Sequence, residues 1–329
     1  MELTDEQKKI VESQDDTLVI ANPGTGKTTT LSFKVINLLE NNVDPENILC
    51  ITYTEKAKKE MFDAIYKLAI EKNISELKVM RLNIYTFHGY AYNYLTELGI
   101  ISGEILGNNF LRYSILESSQ KEKALNYSTK YIIDHIVPKV ENAIRYIKSF
   151  GITVDKINLQ TIEPLLVKHH NSSSSYSLDD VKAFLGYFKK AYEFFENSKN
   201  DANDYTDMLL KFMGNFSGQK FPYVLVDEMQ DMNEIEADMV ELISEKLFLV
   251  GDAKQAIFGF QGGSIKNFYR FKGQCKPMFL TENMRSTQEI LDYSKKYFLG
   301  KTQFRSEYEN ELKNFNSSKT GSIPKIFNL

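Results

Sequence analysis

The sequence predicts an α/β fold, a parallel sheet with crossover helices, interrupted by an inserted all-α segment. Three observations lead there. Apolar strand-like runs alternate with helical stretches three times before residue 95; residues 91–205 carry helical spacing with few strand signals; and strand-like runs return after residue 205.

Taken in order, Thr4-Asp5-Glu6-Gln7 reads as a capping box, with the threonine capping a short helix over residues 5–13 and the glutamine reaching back. Thr17-Leu18-Val19-Ile20 is an apolar, β-branched run stopped by a Gly/Pro loop, hence a strand. From Lys27, the spacing of Leu31, Val35, Ile36 and Leu39 is helical. The pattern repeats as Ile48–Thr52 followed by Lys56–Ile70, and as Asn83–Phe87 followed by a helix carrying Tyr90, Tyr94 and Leu95. Long helices are expected at Tyr131–Ile147 and Leu178–Glu196, with Ser172–Ser175 as a loop between them. Tyr223–Val226, Leu247–Val250 and Met278–Leu280 then resume the sheet. The expected division is a discontinuous α/β domain, 1–90 and 206–315, a helical subdomain at 91–205, and a tail at 316–329.

A chain of 329 residues with 42% hydrophobic residues is long enough for one large core or two medium ones. No run of about 18 apolar residues occurs, and MELTDEQKKI lacks the features of a signal peptide, so no membrane partner is expected. Cys50 and Cys275 are the only cysteines, which excludes a disulfide framework and a zinc site built on paired cysteines. A soluble, cytoplasmic protein is expected, and a nucleoid or a site of viral replication fits equally well. The net charge of -4 excludes nucleic-acid coating through bulk positive charge and leaves any such contact to a local patch.

Two motifs carry chemistry. Ala21-Asn22-Pro23-Gly24-Thr25-Gly26-Lys27-Thr28 lies between a strand and a helix, where backbone N–H groups and a helix N-terminus can cradle phosphates. Lys27 would neutralise the β- and γ-phosphates and the Thr28 hydroxyl would bind Mg²⁺, while Gly24 and Gly26 allow close backbone approach. Tyr223-Val224-Leu225-Val226-Asp227-Glu228 is an apolar strand ending in two carboxylates. Asp227 suits a metal ligand and Glu228 a base that activates water. Together they define a P-loop NTPase using Mg²⁺.

With these residues in place, Asp227-Glu228-Met229-Gln230-Asp231 resembles the DExQD box of superfamily 1 DNA helicases of the UvrD/Rep/PcrA type, and further segments match in order. Leu3–Gln7 resembles the adenine-reading Q motif, Ile48–Ala57 motif Ia, Tyr85–Gly89 motif Ib, and Asp204–Leu210 the short acidic motif before the DExQD strand. Val250–Gly263 resembles motif III, and Leu280–Ser286 motif IV.

The resemblance implies a RecA-like first motor domain, 1A, with its helical insertion, 1B. It implies that Gln7, Thr29 and Met284 face the base, that Gln255 contacts the γ-phosphate, and that Arg285 stabilises charge on the transferred phosphoryl group. Single-stranded DNA is the implied partner, met by Tyr53, Phe258, Phe260 and His88. Thr29 and Met284 stand where the family usually has arginine and tyrosine, and Gly259 and Gln261 stand where motif III often has arginines.

Nothing resembling motifs V and VI follows Leu280–Ser286, so a second motor domain is expected in trans or further along, with little or no unwinding by these residues alone. The implied activity is ATP hydrolysis coupled to translocation on single-stranded DNA in the complete motor. The same motif set serves repair, phage defence, plasmid replication and viral replication. Two rivals stay open: a nucleotide-regulated DNA-binding module that never translocates, and a small-molecule phosphotransferase indifferent to DNA.

Overall fold

The computed structural model of the chain describes residues 2–102, 105–121, 128–157, 178–256, 265–302 and 305–325. Six strands, β1 (Thr17–Ala21), β2 (Ile48–Thr52), β3 (Asn83–Thr86), β4 (Tyr223–Val226), β5 (Leu247–Gly251) and β6 (Lys276–Leu280), form one sheet in the order β3-β2-β4-β5-β1-β6. Every pairing is parallel. The α/β class read from the sequence is therefore correct, and the sheet is of the RecA-like kind.

Parallel strands covered on both faces read as continuous apolar runs because alternate side chains enter different cores. On one face Leu18, Ile20, Leu49, Ile51, Val224, Val226 and Leu249 pack with Phe87, Met208, Phe212 and Val240. On the other, Val19, Ala21, Ile48, Cys50, Leu225, Phe248 and Val250 pack with Ile10, Leu31, Ile36, Met61 and Ile65. Each fully buried Leu or Ile contributes about 1.5–3 kcal/mol through apolar burial, so these two layers dominate the stability of the sheet.

The register lines up the C-terminal strand ends. Ala21 pairs with Leu280, Ile20 with Gly251, Ile51 with Val226, and Thr52 with Thr86. Loops leaving these ends share one rim, the crevice where ligands of open α/β sheets bind.

Helices Asn108–Lys121, Val137–Lys148 and Leu178–Ser198 build a third core from Leu111, Ile115, Val140, Ile144, Ile147, Phe188, Tyr192 and Phe195. The expected helix over Tyr131–Ile147 contains one irregularity: Ile132–Ile136 forms a π-helical turn just before Val137–Lys148. Periodicity could not reveal a single widened turn that keeps the same apolar residues inward. The Ser172–Ser175 loop, the His169-His170 pair, Phe258 and Phe260 lie outside the described residues.

The insertion is tied back to the sheet by a charge cluster. Lys148 reaches Glu196 at 2.9 Å and Asp207 at 2.6 Å, and also contacts Asp204. Lys199 reaches Glu196 at 2.7 Å, Asp204 at 2.9 Å and Asp207 at 2.6 Å. Both lysine side chains are only 5% exposed. Asp204 also caps helix Tyr205–Asn215 by accepting from the Thr206 and Asp207 amides. Burial pushes the Asp204 carboxyl up, but Lys148 and Lys199 outweigh it and bring it down to about 2. No helix among the described residues is long and apolar enough to cross a membrane.

Candidate active site

The loop Asn22–Gly26 leaves β1, which lies between β5 and β6, and opens helix Lys27–Glu40. Gly24 and Gly26 have φ of +78° and +83°. Gly26 is the N-cap and supplies no side-chain bond, so the first-turn amides of the helix remain donors for an anion. Thr25 holds the turn by donating its hydroxyl to the Asn22 carbonyl at 2.8 Å. Ala21, at the end of β1, is buried and tolerates a Cβ without opening the loop.

At the neighbouring rim, Asp227 and Glu228 end β4. The Lys27 ammonium donates to Glu228 Oε2 at 2.6 Å, and the Thr28 hydroxyl donates to Asp227 Oδ2 at 3.1 Å. The two motifs thus meet side chain to side chain across 201 and 199 positions of sequence.

Glu228 has φ of +52°, a left-handed conformation that costs a non-glycine residue roughly 1–3 kcal/mol. Its carboxylate is turned toward Lys27 and is also held by the Gln230 side-chain amide at 2.9 Å. Burial drives the Asp227 carboxyl up to about 6, the adjacent Glu228 adds to the rise, and Lys27 and Thr28 oppose it. A buried carboxylate held off its ordinary ionisation, next to a threonine hydroxyl, is the oxygen donor set that a hard divalent cation satisfies. The residues fit Mg²⁺.

Several other sequence-predicted residues converge here. Asn283 donates to the Pro23 carbonyl at 2.6 Å, and the Met284 amide donates to the Gly24 carbonyl at 2.8 Å. This brings Arg285 and Met284, both exposed, to the edge of the loop. Gln7 is buried beside it: a Cβ on Gly26 would lie 2.8 Å from Gln7 Nε2. The capping box also holds, since Gln7 Oε1 accepts from the Thr4 amide at 3.0 Å and Thr4 Oγ1 accepts from the Gln7 amide at 3.3 Å. Thr29 is half-buried in the first helical turn. Gln255 follows β5, and its side-chain amide donates to Asp252 Oδ2 at 2.9 Å.

Tyr53 and His88 sit further along the rim, away from Lys27. Tyr53 packs against Phe87 with ring centroids 5.4 Å apart. His88 meets the Tyr205 ring edge-on at 5.3 Å. Burial pushes the His88 imidazole down to about 4 against the pull of Asp204, so it is neutral at physiological pH.

The sequence reading assigned no role to Asn283, Gln230, Asp252 or Glu236. Asn283 precedes Arg285 by two, and its Oδ1 accepts from the Arg285 and Ser286 amides at 2.8 and 2.6 Å, an Asx-type turn that the asparagine could have signalled. Gln230 accepts from the Asp252 amide at 2.9 Å and joins the DExQD turn to the end of β5, a pairing without local signature.

Comparison with known proteins bears directly on this geometry. The family model described as the UvrD/REP helicase N-terminal domain matches residues 3–276. The chain belongs to this family. Among curated relatives, it is 27% identical to a probable DNA helicase II homolog of Mycoplasma pneumoniae, covering 94% of this chain and 44% of that protein. It is 31% identical to the ATP-dependent DNA helicase SRS2 of Saccharomyces cerevisiae, covering 84% and 25%. It is 30% identical to the ATP-dependent DNA helicase PcrA of Staphylococcus epidermidis, covering 88% and 39%. The chain thus spans less than half the length of these relatives.

Proposed function

We propose that this chain is the ATP-binding motor portion of a UvrD-like superfamily 1 DNA helicase, which binds Mg-ATP at the Lys27 loop and single-stranded DNA along the same rim. The observation that carries the reading is the junction of Lys27 with Glu228 and of Thr28 with Asp227. In it, a phosphate-cradling loop faces a carboxylate pair placed for a cation and a base.

An arriving triphosphate competes for Lys27 and draws its ammonium from Glu228 to the γ-phosphate. Glu228 Oε2 then keeps the Gln230 amide, which holds the carboxylate in place to accept a proton from the attacking water. Thr28 and Asp227 would hold Mg²⁺, which would supply neutralisation of the phosphate charge. Arg285 reaches the γ-phosphate from the far side of the loop, and Gln255 responds to it through Asp252. Gln7, Thr29 and Met284 line the base, with Ala21 to Thr28 around the phosphates.

Residues 1–90 and 206–315 serve as the motor domain and 91–205 as the inserted subdomain; the separate core running from Leu111 to Phe195 supports the insertion, while Ala91, Leu95 and Ile101 pack into the sheet core and side with the motor domain. Residues 316–329 lead toward a second motor domain, in the same chain or in trans. Tyr53, His88, Phe258 and Phe260 form the DNA track, with His88 acting as a neutral contact.

The test is titration of purified residues 1–329 with Mg-ATP, followed by ATPase and strand-separation assays with and without single-stranded DNA. Mg-dependent binding, slow turnover and no unwinding are expected, because an arginine supplied from a second element is worth about 10³–10⁵ in rate. Turnover that requires a small-molecule acceptor and ignores DNA would replace this reading with a phosphotransferase. DNA affinity that changes with ATP, but no turnover even beside a second motor domain, would replace it with a regulated binding module.

A further inference from the structure

We propose that Glu236 is a positioning residue that ties the Tyr53 ring to the segment bearing Glu228, so that a base on Tyr53 and a triphosphate at Lys27 are coupled through it. The inference rests on the reading of Tyr53 as a base platform.

Tyr53 follows β2 directly, and its hydroxyl donates to Glu236 Oε2 at 3.2 Å across 183 positions of sequence. Base stacking needs only a ring face, which a phenylalanine would supply. The hydroxyl therefore does something that stacking does not require: it fixes the ring to a carboxylate in the core. Glu236 is 4% exposed, and a buried carboxylate is tolerated only where it is well bonded. The same Oε2 accepts from the Asn233 amide at 3.0 Å, while Asn233 Oδ1 accepts from the Glu236 amide at 2.9 Å. Tyr53 is thereby bonded to the N-terminal turn of helix Glu234–Ile243.

That turn is reached from Glu228 in a few residues. Met229–Asp231 forms a single 3₁₀ turn between Glu228 and the Asn233 cap. Gln230 Nε2 bonds Glu228 Oε2 at 2.9 Å and lies 3.5 Å from Asp231 Oδ2. Asp231 Oδ1 is buried without a hydrogen-bond partner. A fully bonded polar network holds one arrangement, whereas one with an orphaned acceptor has an arrangement to gain by moving. The strained Glu228 backbone and the orphaned Asp231 oxygen thus mark the turn as the joint that responds when Lys27 leaves Glu228. The helix end carries that response to Tyr53. Coupling of this kind is reciprocal, so DNA on Tyr53 alters nucleotide affinity by the same factor.

The experiment measures the dissociation constant of a fluorescein-labelled oligothymidine on residues 1–329, with and without the non-hydrolysable adenylyl imidodiphosphate and Mg²⁺. The native chain should show a ratio of about 5 or more between the two conditions. Tyr53→Phe and Glu236→Ala should bring that ratio to within about twofold of 1, and Glu236→Gln should retain it because the amide oxygen still accepts from both donors. A purely structural role would lower the melting temperature of Glu236→Ala without moving the ratio in Tyr53→Phe, and that outcome overturns the proposal. So does a native ratio of 1. A native chain that binds nucleotide but no oligothymidine removes the base-platform reading and the inference with it.

Discussion

The Lys27 ammonium and the Glu228 carboxylate lie 2.6 Å apart, so the group that would hold the γ-phosphate and the group that would activate water neutralise one another. Any anion entering the loop must win Lys27 from Glu228. Hydrogen bonds to charged groups are worth about 1.5–3 kcal/mol and neutral ones about 0.5–1.5 kcal/mol. Glu228→Gln should therefore bind Mg-ATP roughly fivefold more tightly while losing hydrolysis. Lys27→Ala should weaken binding by roughly 10–100-fold. A fluorescence titration with labelled ATP checks both, and looser binding by Glu228→Gln would contradict the competition.

Gly24→Ala should damage the site sterically. Its φ is +78°, and a Cβ there would lie 2.7 Å from Asn283 Nδ2 and 2.8 Å from Arg285 Cβ. Asn283 can shift only by giving up the Pro23 carbonyl, and a Cβ cannot swing away. A loss of about 1–3 kcal/mol in stability is expected from the strained backbone alone, together with weakened nucleotide binding. Thermal melts with and without Mg-ATP separate the two effects.

Glu236 sets a pH dependence. Burial raises its carboxyl from an ordinary 4.5 to about 7, Asp231 adds to the rise, and the Asn233 and Tyr53 bonds oppose it. The folded chain holds this proton more tightly than the unfolded chain does. The associated stability is therefore full below about pH 4.5 and is lost as pH rises through 7. Glu236→Gln has no proton to lose. It should match the native chain near pH 4.5 and exceed it by roughly 3 kcal/mol at pH 8. Urea denaturation at the two pH values checks the sign, and a native chain more stable than the variant at pH 8 would reverse it.

These residues also show where the sequence was readable. The strand, Gly-rich loop and helix around Lys27, the strand ending in Asp227 and Glu228, and the Thr4 to Gln7 capping box are local patterns, and local chemistry builds them. The parallel class followed from short apolar runs alternating with helices. Glu236 drew no reading from the sequence, because nothing near it announces Tyr53, 183 positions away. The long contacts of Asn283 and Gln230 were opaque for the same reason: they reach Pro23 across 260 positions and Asp252 across 22, although the local turn at Asn283 was readable. Asp204 stood out as part of an acidic motif, but its partner Lys148 comes from another helix, and Lys199 comes from the turn after Leu178–Ser198.

The cluster around Lys148 predicts a cost at the base of the insertion. Lys148→Met would leave Glu196, Asp204 and Asp207 with Lys199 as their remaining cation in the cluster. Breaking a buried ion pair from one side typically costs about 3–5 kcal/mol, so a loss of that size is expected in a denaturant titration. Adding Asp207→Asn should recover part of it by removing one stranded charge. A double variant less stable than the sum of the singles would show that the aspartate matters for helix capping more than for pairing.

The place of β1 between β5 and β6 governs how this polypeptide can be born. Thr17–Ala21 leaves the ribosome early, yet its two sheet neighbours are residues 247–251 and 276–280. At about 5–20 residues per second, the second neighbour follows roughly 10–50 s later. Through that interval a strand with five buried positions has both edges unpaired, a template for wrong pairing with other nascent chains. The Lys27 loop cannot close either, because Asn283 and Met284, which hold Pro23 and Gly24, emerge later still. Nascent chains stalled before residue 247 should accordingly be aggregation-prone and rely on holding chaperones, whereas chains released after residue 286 should escape them.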